Sequence, residues 1–193
     1  MTDPLQKLFG SMARLKLLRL FLFNPGRQFT VPEAAERARV PERTARKEIN
    51  LFASVRLIKR ARSRSRGARY LLNSDFGYLA ALQSLLLNAP ERGADIYERV
   101  RKAGGIKLVI IAGIFVGEWE SALDVLIVGD RVKEKKLRSR IKNLESELGK
   151  ELRYSLLSSD DFFYRLNMND KLVRDILDYQ HKIVFDRLNI GLK

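Results

Sequence analysis

Residues 8–60 read LFGSMARLKLLRLFLFNPGRQFTVPEAAERARVPERTARKEINLFASVRLIKR, and the apolar spacing in this stretch decides the fold of the first part of the chain. Leucine and phenylalanine recur every three or four residues over 4–23, which predicts a helix that is apolar almost all round in its second half. Asn24-Pro25-Gly26 ends this helix. The sequence then predicts a short extended piece at 28–30, a helix over 32–38 and a further helix from Pro41 to about Ala53.

A hairpin is predicted directly after the third helix. Residues 58–62 and 68–72 can pair as two strands around a tip of serine, arginine and glycine. Helix, short strand, helix, tight turn, helix and hairpin, in that order, is the arrangement of a winged helix-turn-helix. We therefore expect a DNA-binding domain of this kind over residues 1–75.

The third helix is expected to act as the recognition helix. Ala45, Ile49 and Phe52 share one face and are predicted to be buried, which leaves the opposite face for the major groove. Arginine and asparagine can form bidentate contacts with guanine and adenine edges, and arginines on the wing can reach phosphates or the minor groove. Taken alone, the arginine-rich wing is equally typical of a solvated, flexible loop. The predicted DNA-binding residues are Arg43, Thr44, Arg46, Lys47, Asn50, Arg60, Arg62, Arg64, Arg66 and Arg69.

The quoted stretch resembles a group of winged-helix transcriptional regulators similar to the ArsR group. These regulators begin with the pattern LFGS-x-x-R-x-x-LL-x-x-F, which this chain matches from Leu8 to Phe21. Two departures stand out, because Arg39 and Arg56 occupy turns where such regulators often carry glycine. Those turns use left-handed backbone, which costs a residue with a Cβ more than it costs glycine. Either the turns are rebuilt here or a modest strain is tolerated.

Charge is distributed unevenly along the chain. The net charge is +14, and residues 1–72 account for +12 of it with 17 Lys or Arg and 5 Asp or Glu. Residues 73–193 hold 20 basic and 18 acidic residues. A localised excess of this kind favours a localised anionic partner, and next to a helix-turn-helix pattern it favours nucleic acid. The apolar helix faces are needed for a core, so attachment to a membrane is not expected.

Several classes of protein are disfavoured by what the sequence lacks. It has no cysteine and one histidine, His181, so disulfides, thiolate sites and histidine metal clusters are excluded. No apolar run approaches the roughly 20 residues that cross a bilayer, and the N-terminus does not resemble a secretory signal. We expect a cytoplasmic protein of 193 residues that folds by packing alone and uses no cofactor or metal.

The spacing of apolar residues changes in the second half of the chain. Two helical stretches over 78–87 and 94–102 make residues 76–104 a helical linker or a dimerisation segment. Short β-branched runs then predict buried strands. The strands predicted beyond residue 105 are 108–111, 125–128, 152–157 and 182–185. The predicted helices are 131–148, one that begins at 160 with Ser159 as its cap, and 170–179. His181 is assigned to the last of these helices.

This order resembles the minimal nucleotidyltransferase domain over about residues 105–187. The resemblance implies a Gly-Ser turn that holds a triphosphate and a Ser-Asp-x-Asp motif whose aspartates bind Mg²⁺. Gly113, Ser121 and Asp124 match, whereas Ile114 replaces the serine and Ala122 replaces the first aspartate. The third expected carboxylate is missing from 152–157. We therefore expect residues 105–193 to form an inactive domain, in which Asp124 has a structural role in preference to metal binding.

The sequence thus predicts an α+β protein in which a winged helix-turn-helix precedes a small nucleotidyltransferase-like α/β domain. The expected function is that of a sequence-specific regulator of transcription that binds double-stranded DNA as a homodimer. Its second domain would serve dimerisation, recognition of a nucleotide ligand or contact with a protein partner. Two alternatives stay open: an active nucleotidyltransferase, and an antitoxin-like regulator that binds another protein.

Overall fold

The computed structural model describes residues 4–61, 67–87, 93–118 and 121–190. The chain is a mixed α/β protein with two small sheets, which is compatible with the expected α+β class. It divides into two compact units. The first comprises Met1–Ala89 and Lys142–Glu151, and the second comprises Pro90–Ile141 and Leu152–Lys193. None of the described helices is long and apolar enough to cross a membrane.

The first unit is mainly helical. Its two strands pair antiparallel, with Ile58 opposite Leu72 and Arg60 opposite Tyr70, and Phe29 forms an isolated bridge to Tyr70. The elements are α1 Pro4–Leu8, α2 Met12–Leu22, α3 Val31–Ala38, α4 Glu42–Ser54, β1 Ile58–Arg60, β2 Tyr70–Leu72 and α5 Leu79–Leu87. The helices predicted over 32–38 and 41–53 and the strand pair after them are therefore confirmed, the strands being shorter than predicted.

The single helix predicted over 4–23 is wrong, because the structure has two helices there. Gly10 adopts a φ of 73°, which helical backbone cannot continue through. Ser11 then begins α2 as its N-cap, and its hydroxyl accepts a hydrogen bond from the backbone N–H of Arg14 at 3.3 Å. Apolar spacing alone could not reveal this break, since it continues in phase across it.

The turns at Arg39 and Arg56 keep left-handed backbone, with φ of 51° and 60°. Arg39 ends α3, and its backbone N–H bonds to the carbonyls of that helix's last turn. The turns are therefore not rebuilt, and the strain of left-handed backbone at two arginines is tolerated. At the other end of α3, Thr30 and Glu33 form a reciprocal capping box, which fixes where the helix starts.

The core of the first unit centres on Phe21. Its ring meets those of Phe29 and Phe52 edge-on, at centroid distances of 5.6 and 6.5 Å. The three rings thus connect α2 and α4 with Phe29, the residue that bridges to the hairpin. Other fully or nearly fully buried members of this core are Leu15, Leu17, Leu22, Ala34, Ala45, Ile49, Leu57, Ile58 and Leu72.

The second unit contains a four-stranded mixed sheet of order β5-β4-β3-β6, in which β4 and β5 are parallel and the other neighbours are antiparallel. Leu108, Ile110, Leu126 and Val128 pack on one of its faces with Phe162, Val173 and Ile176. The elements are α6 Gly93–Val100, β3 Ile106–Ile111, β4 Val125–Gly129, α7 Glu134–Leu148, β5 Tyr154–Leu157, α8 Ser159–Asn167, α9 Lys171–Leu177 and β6 Lys182–Asp186. Helix α7 is divided between the units, since its residues up to Ile141 belong to the second unit and those from Lys142 belong to the first. A 3-10 turn, Arg101–Ala103, follows α6.

Two details of this unit correct the sequence predictions. Ser158, not Ser159, is the N-cap of α8, and its hydroxyl accepts from the backbone N–H of Asp161 at 3.1 Å. Ser159 instead donates its backbone N–H and its hydroxyl to the carboxylate of Asp130. His181 lies after α9 and not on it, where its Nδ1 is 2.9 Å from the carbonyl oxygen of Tyr179.

Candidate nucleic-acid interface

Helix α4 has one buried face and one exposed basic face. Ala45 and Ile49 are completely buried, as predicted, and Phe52 is 4% exposed. Arg43, Arg46, Lys47 and Asn50 are exposed, whereas Thr44 is half-buried. Because Arg43, Lys47 and Asn50 follow each other at i, i+4 and i+7, they form one stripe about 10 Å long on the helix. A stripe of this size and chemistry can enter a groove about 12 Å wide.

The orientation of α4 is fixed by an ion pair that the sequence did not reveal. The Glu48 side chain lies on the buried side of the helix, and Glu48 is 4% exposed. Arg14 on α2 donates from Nε to Glu48 Oε2 at 2.7 Å and from Nη2 to Oε1 at 3.4 Å. Its Nη1 also donates to the carbonyl oxygen of Phe9 at 3.1 Å. The arginine of the LFGS-x-x-R pattern therefore joins the start of α2 to the middle of α4.

Arg46 is exposed but has an intramolecular partner. Its Nη2 donates to Glu42 Oε1 at 2.6 Å, one helical turn away, and both side chains are about half-exposed. An exposed pair of this kind is worth little in stability, so a nucleic-acid group can displace Glu42. Until that happens, Glu42 neutralises one of the cations of the α4 face.

The predicted wing residues fall into three groups. Arg60 ends β1 and is exposed. Arg69 is half-buried and pairs with Glu33 on α3, with N–O distances of 3.3 and 3.4 Å. The pKa of Glu33 is lowered first by the Thr30 backbone N–H and further by Arg69. Arg69 thus links the base of the hairpin to α3 through this ion pair. Arg62, Arg64 and Arg66 lie outside the described residues.

Asp124, in the second unit, is completely buried and accepts four hydrogen bonds. Its Oδ1 accepts from the Ile114 backbone N–H at 3.1 Å and from Arg153 Nη2 at 2.9 Å. Its Oδ2 accepts from the Arg153 backbone N–H at 2.8 Å and from Arg153 Nε at 3.1 Å. An ionised carboxylate has about four lone-pair sites, so these donors occupy all of them. Arg153 was not found from the sequence, where no motif connects it with Asp124.

The other residues of the predicted nucleotide site have local structural contacts. Gly113 has a φ of 54°, and a Cβ at this position would overlap the Asp124 carboxylate. The Ser121 hydroxyl donates to the Leu123 carbonyl oxygen at 2.8 Å and so closes the turn before β4. The structure therefore brings Gly113 and Asp124 together, while the Ser121 hydroxyl is bonded to its own loop. Within the described ranges, no group of three or more His, Cys, Asp or Glu side chains could hold a metal ion.

Comparison of this chain with family models, with curated proteins and with solved structures gives no match.

Proposed function

We propose that the first unit is a winged helix-turn-helix domain and that the chain is a transcriptional regulator that binds double-stranded DNA. The observation that carries this proposal is the two-faced helix α4. Its inner face is held by apolar packing and by Glu48, and its outer face presents two arginines, a lysine and an asparagine beside one acidic residue, Glu42. A face that served only solubility would mix both signs of charge more evenly.

In this proposal α4 enters the major groove, and its side chains have separate tasks. Arg43, Arg46 and Asn50 can read base edges through bidentate hydrogen bonds. Lys47 and Arg60 contact phosphates and so fix the register of the domain on the duplex. The net charge of +12 over residues 1–72 draws the duplex toward this unit.

The proposal includes a homodimer. Regulators with this arrangement of helices commonly bind two half-sites one helical turn of DNA apart, so that a palindromic operator mirrors the symmetry of the dimer. Helix α5 exposes Leu85, and Tyr78 directly precedes it and is also exposed. These apolar side chains are the ones we expect at a contact between two copies.

For the second unit we propose a nucleotidyltransferase-like domain without activity. Nucleotidyl transfer needs two metal ions, which several carboxylates must hold. Ala122 replaces one of these carboxylates, and the oxygens of Asp124 are already occupied by donors from Arg153 and Ile114. Such a domain remains suited to dimerisation, to recognition of a ligand or to contact with another protein.

Selection of bound sequences from a random duplex library tests the proposed function. We expect enrichment of a short motif by the full-length chain. Arg46→Ala should relax the preference at one base position at a cost of about 1–3 kcal/mol, whereas Arg60→Ala should weaken binding to all sequences alike. Failure to enrich any motif, or identical behaviour of the two variants toward selected and random duplexes, would contradict base readout by α4.

A further inference from the structure

A second basic surface lies in the second unit, around the start of α7. Residues 131–140 hold six Lys or Arg and a single acidic residue, Glu134. The remainder of 73–193 holds 14 basic and 17 acidic residues, so the segment is basic within an otherwise slightly acidic half of the chain. Five of the six cations are exposed and Arg140 is half-buried. We call the six cations the α7 patch: Arg131, Lys133, Lys135, Lys136, Arg138 and Arg140.

The cations of the α7 patch lie close together in sequence, and none of them has an acidic partner among the residues that the structure describes. Several other cations of this unit are paired. Lys107 pairs with Asp130 at 2.6 Å, Arg153 with Asp124 at 2.9 Å and Arg165 with Asp161 at 3.0 Å. Arg101 and Arg174 likewise pair with neighbouring acids. Only the α7 patch gathers several unpaired positive charges at one place in this unit's described residues.

This arrangement does not favour the folded state. Lys135 and Arg138 lie at i and i+3, and Lys136 and Arg140 lie at i and i+4, so the like charges of each pair repel. The cations also lie at the N-terminal end of α7, where the helix dipole disfavours positive charge. Helix stability therefore does not explain the patch, whereas a bound polyanion would relieve both repulsions.

The buried side of α7 narrows the choice of polyanion. Insertion of an amphipathic helix into a membrane needs a free apolar face, but Leu137 and Ile141 are each 1% exposed and belong to the core. Residues 131–140 hold no asparagine or glutamine, the side chains that pair with adenine edges. Lysine contacts phosphates as a point charge and arginine contacts them bidentately, so the patch suits the phosphate backbone.

We propose that the α7 patch is a second nucleic-acid-binding surface, which contacts the phosphate backbone of duplex DNA without reading its sequence. The inference rests on the proposed function in taking DNA as the ligand, but it concerns different residues. It gives the second unit a task that needs no catalysis. Affinity for DNA would then be shared between a reading surface on α4 and a sequence-independent surface on α7.

The test uses the full-length chain and two variants that each lose three positive charges. The test variant is Lys135→Gln, Lys136→Gln and Arg138→Gln, in which glutamine preserves helix propensity. The control variant is Lys102→Gln, Lys171→Gln and Arg187→Gln, whose side chains are exposed and lie outside the patch. Affinity for a random duplex is measured against salt concentration. The slope of log K against log salt should become shallower by about 2 to 3 in the test variant and stay near the wild-type value in the control.

A second measurement needs no variant. Acetylation of lysines, read by mass spectrometry with and without duplex, should show protection of Lys133, Lys135 and Lys136 but not of Lys171. Equal slopes in both variants, or unprotected patch lysines on a duplex-bound chain, would overturn the inference. Protection by polyglutamate or by phosphatidylserine vesicles in place of duplex would overturn it too, and would indicate an acidic protein or a membrane.

The two proposals fail in distinguishable ways. A variant with Arg43→Gln and Lys47→Gln removes charge only from α4. If this variant binds a random duplex as the wild type does while the α7 variant is weakened, the α4 proposal fails and the α7 inference stands. The reverse result eliminates the α7 inference alone, and a chain that binds no duplex eliminates both.

Discussion

The Arg14 guanidinium donates two hydrogen bonds to the Glu48 carboxylate, at 2.7 and 3.4 Å, and so joins α2 to the buried side of α4. Arg14→Ala would leave the Glu48 carboxylate in the protein interior without its partner. We expect the free energy of unfolding to fall by about 3 kcal/mol, near the lower end for a broken buried pair because the Arg14 side chain is 33% exposed. Urea denaturation measures this loss.

Arg46→Ala is the matched control, because it breaks the exposed Glu42–Arg46 pair and should cost less than about 0.5 kcal/mol. The double change Arg14→Met with Glu48→Leu should recover most of the loss, since it leaves no buried charge. Equal losses for Arg14→Ala and Arg46→Ala would show that the Arg14–Glu48 pair does not hold α4.

The spacing of apolar residues predicted which face of α4 is buried, but it did not predict the ion pairs between distant residues. Burial of Ala45, Ile49 and Phe52 follows from helical spacing, which lies within one element. Arg14 and Glu48 are 34 residues apart, and Asp124 and Arg153 are 29 apart, so only the tertiary fold brings them together. The same holds for Arg69, which the sequence assigned to DNA and which the structure pairs with Glu33 on α3.

Glu42 restrains the α4 face, which gives a prediction for DNA affinity. Glu42→Gln releases Arg46 and removes a negative charge from the proposed interface. We expect the full-length chain to bind duplex about 2- to 5-fold more tightly, in line with the value of one exposed ion pair. Fluorescence anisotropy with a labelled duplex at fixed salt measures this change.

Asp178→Asn is the control for this gain, because Asp178 also pairs with an arginine one helical turn away, Arg174 at 3.2 Å, in the second unit. It changes the net charge by the same amount but should leave affinity nearly unchanged. A gain of the same size in both variants would mean that net charge alone, and not the α4 face, sets the affinity.

The four donors on Asp124 predict a structural residue without a catalytic role. Asp124→Asn should lower the free energy of unfolding by about 3 kcal/mol, because it removes the buried charge that pairs with the 39% exposed Arg153 and replaces an accepting oxygen with a donor. Thermal unfolding of the wild-type chain should not shift when Mg²⁺ is added. We also expect no transfer of labelled nucleotide to protein, RNA or a small acceptor with Mg²⁺ or Mn²⁺. Metal-dependent transfer that disappears in Asp124→Ala would overturn the proposal of an inactive domain.

The contacts of the Asp130 carboxylate lead us to expect a loss of folding stability in acid. The hydrogen bond from Lys107, followed by those from Ser159, lowers the pKa of the Asp130 carboxyl from 3.8 to about 2. Because the pKa in the folded state is depressed, these contacts stabilise the fold fully above about pH 4, and their contribution is lost as the pH falls toward 2. Asp130→Asn should remove this part of the pH dependence from acid unfolding curves.

Carbon-13 NMR of the Asp130 carboxyl follows the titration directly. Lys107→Met should raise the pKa of Asp130 toward its ordinary value, whereas Lys102→Met, at an exposed position in the 3-10 turn after α6, should leave it unchanged. A wild-type Asp130 that titrates near 3.8 would show that the contacts with Lys107 and Ser159 do not form in solution.

The salt dependence of duplex binding tests most directly whether the exposed face of α4 contacts DNA. Affinity of the full-length chain for duplex should fall steeply with salt, with a log–log slope of about −0.9 for each phosphate neutralised. If Arg43 and Lys47 each lie against a phosphate in random duplex, Arg43→Gln with Lys47→Gln should make the slope shallower by about 1.8, while Lys171→Gln with Arg174→Gln should not change it. Tight binding with a nearly flat salt dependence, or a slope that the α4 variant leaves unchanged, would contradict the account.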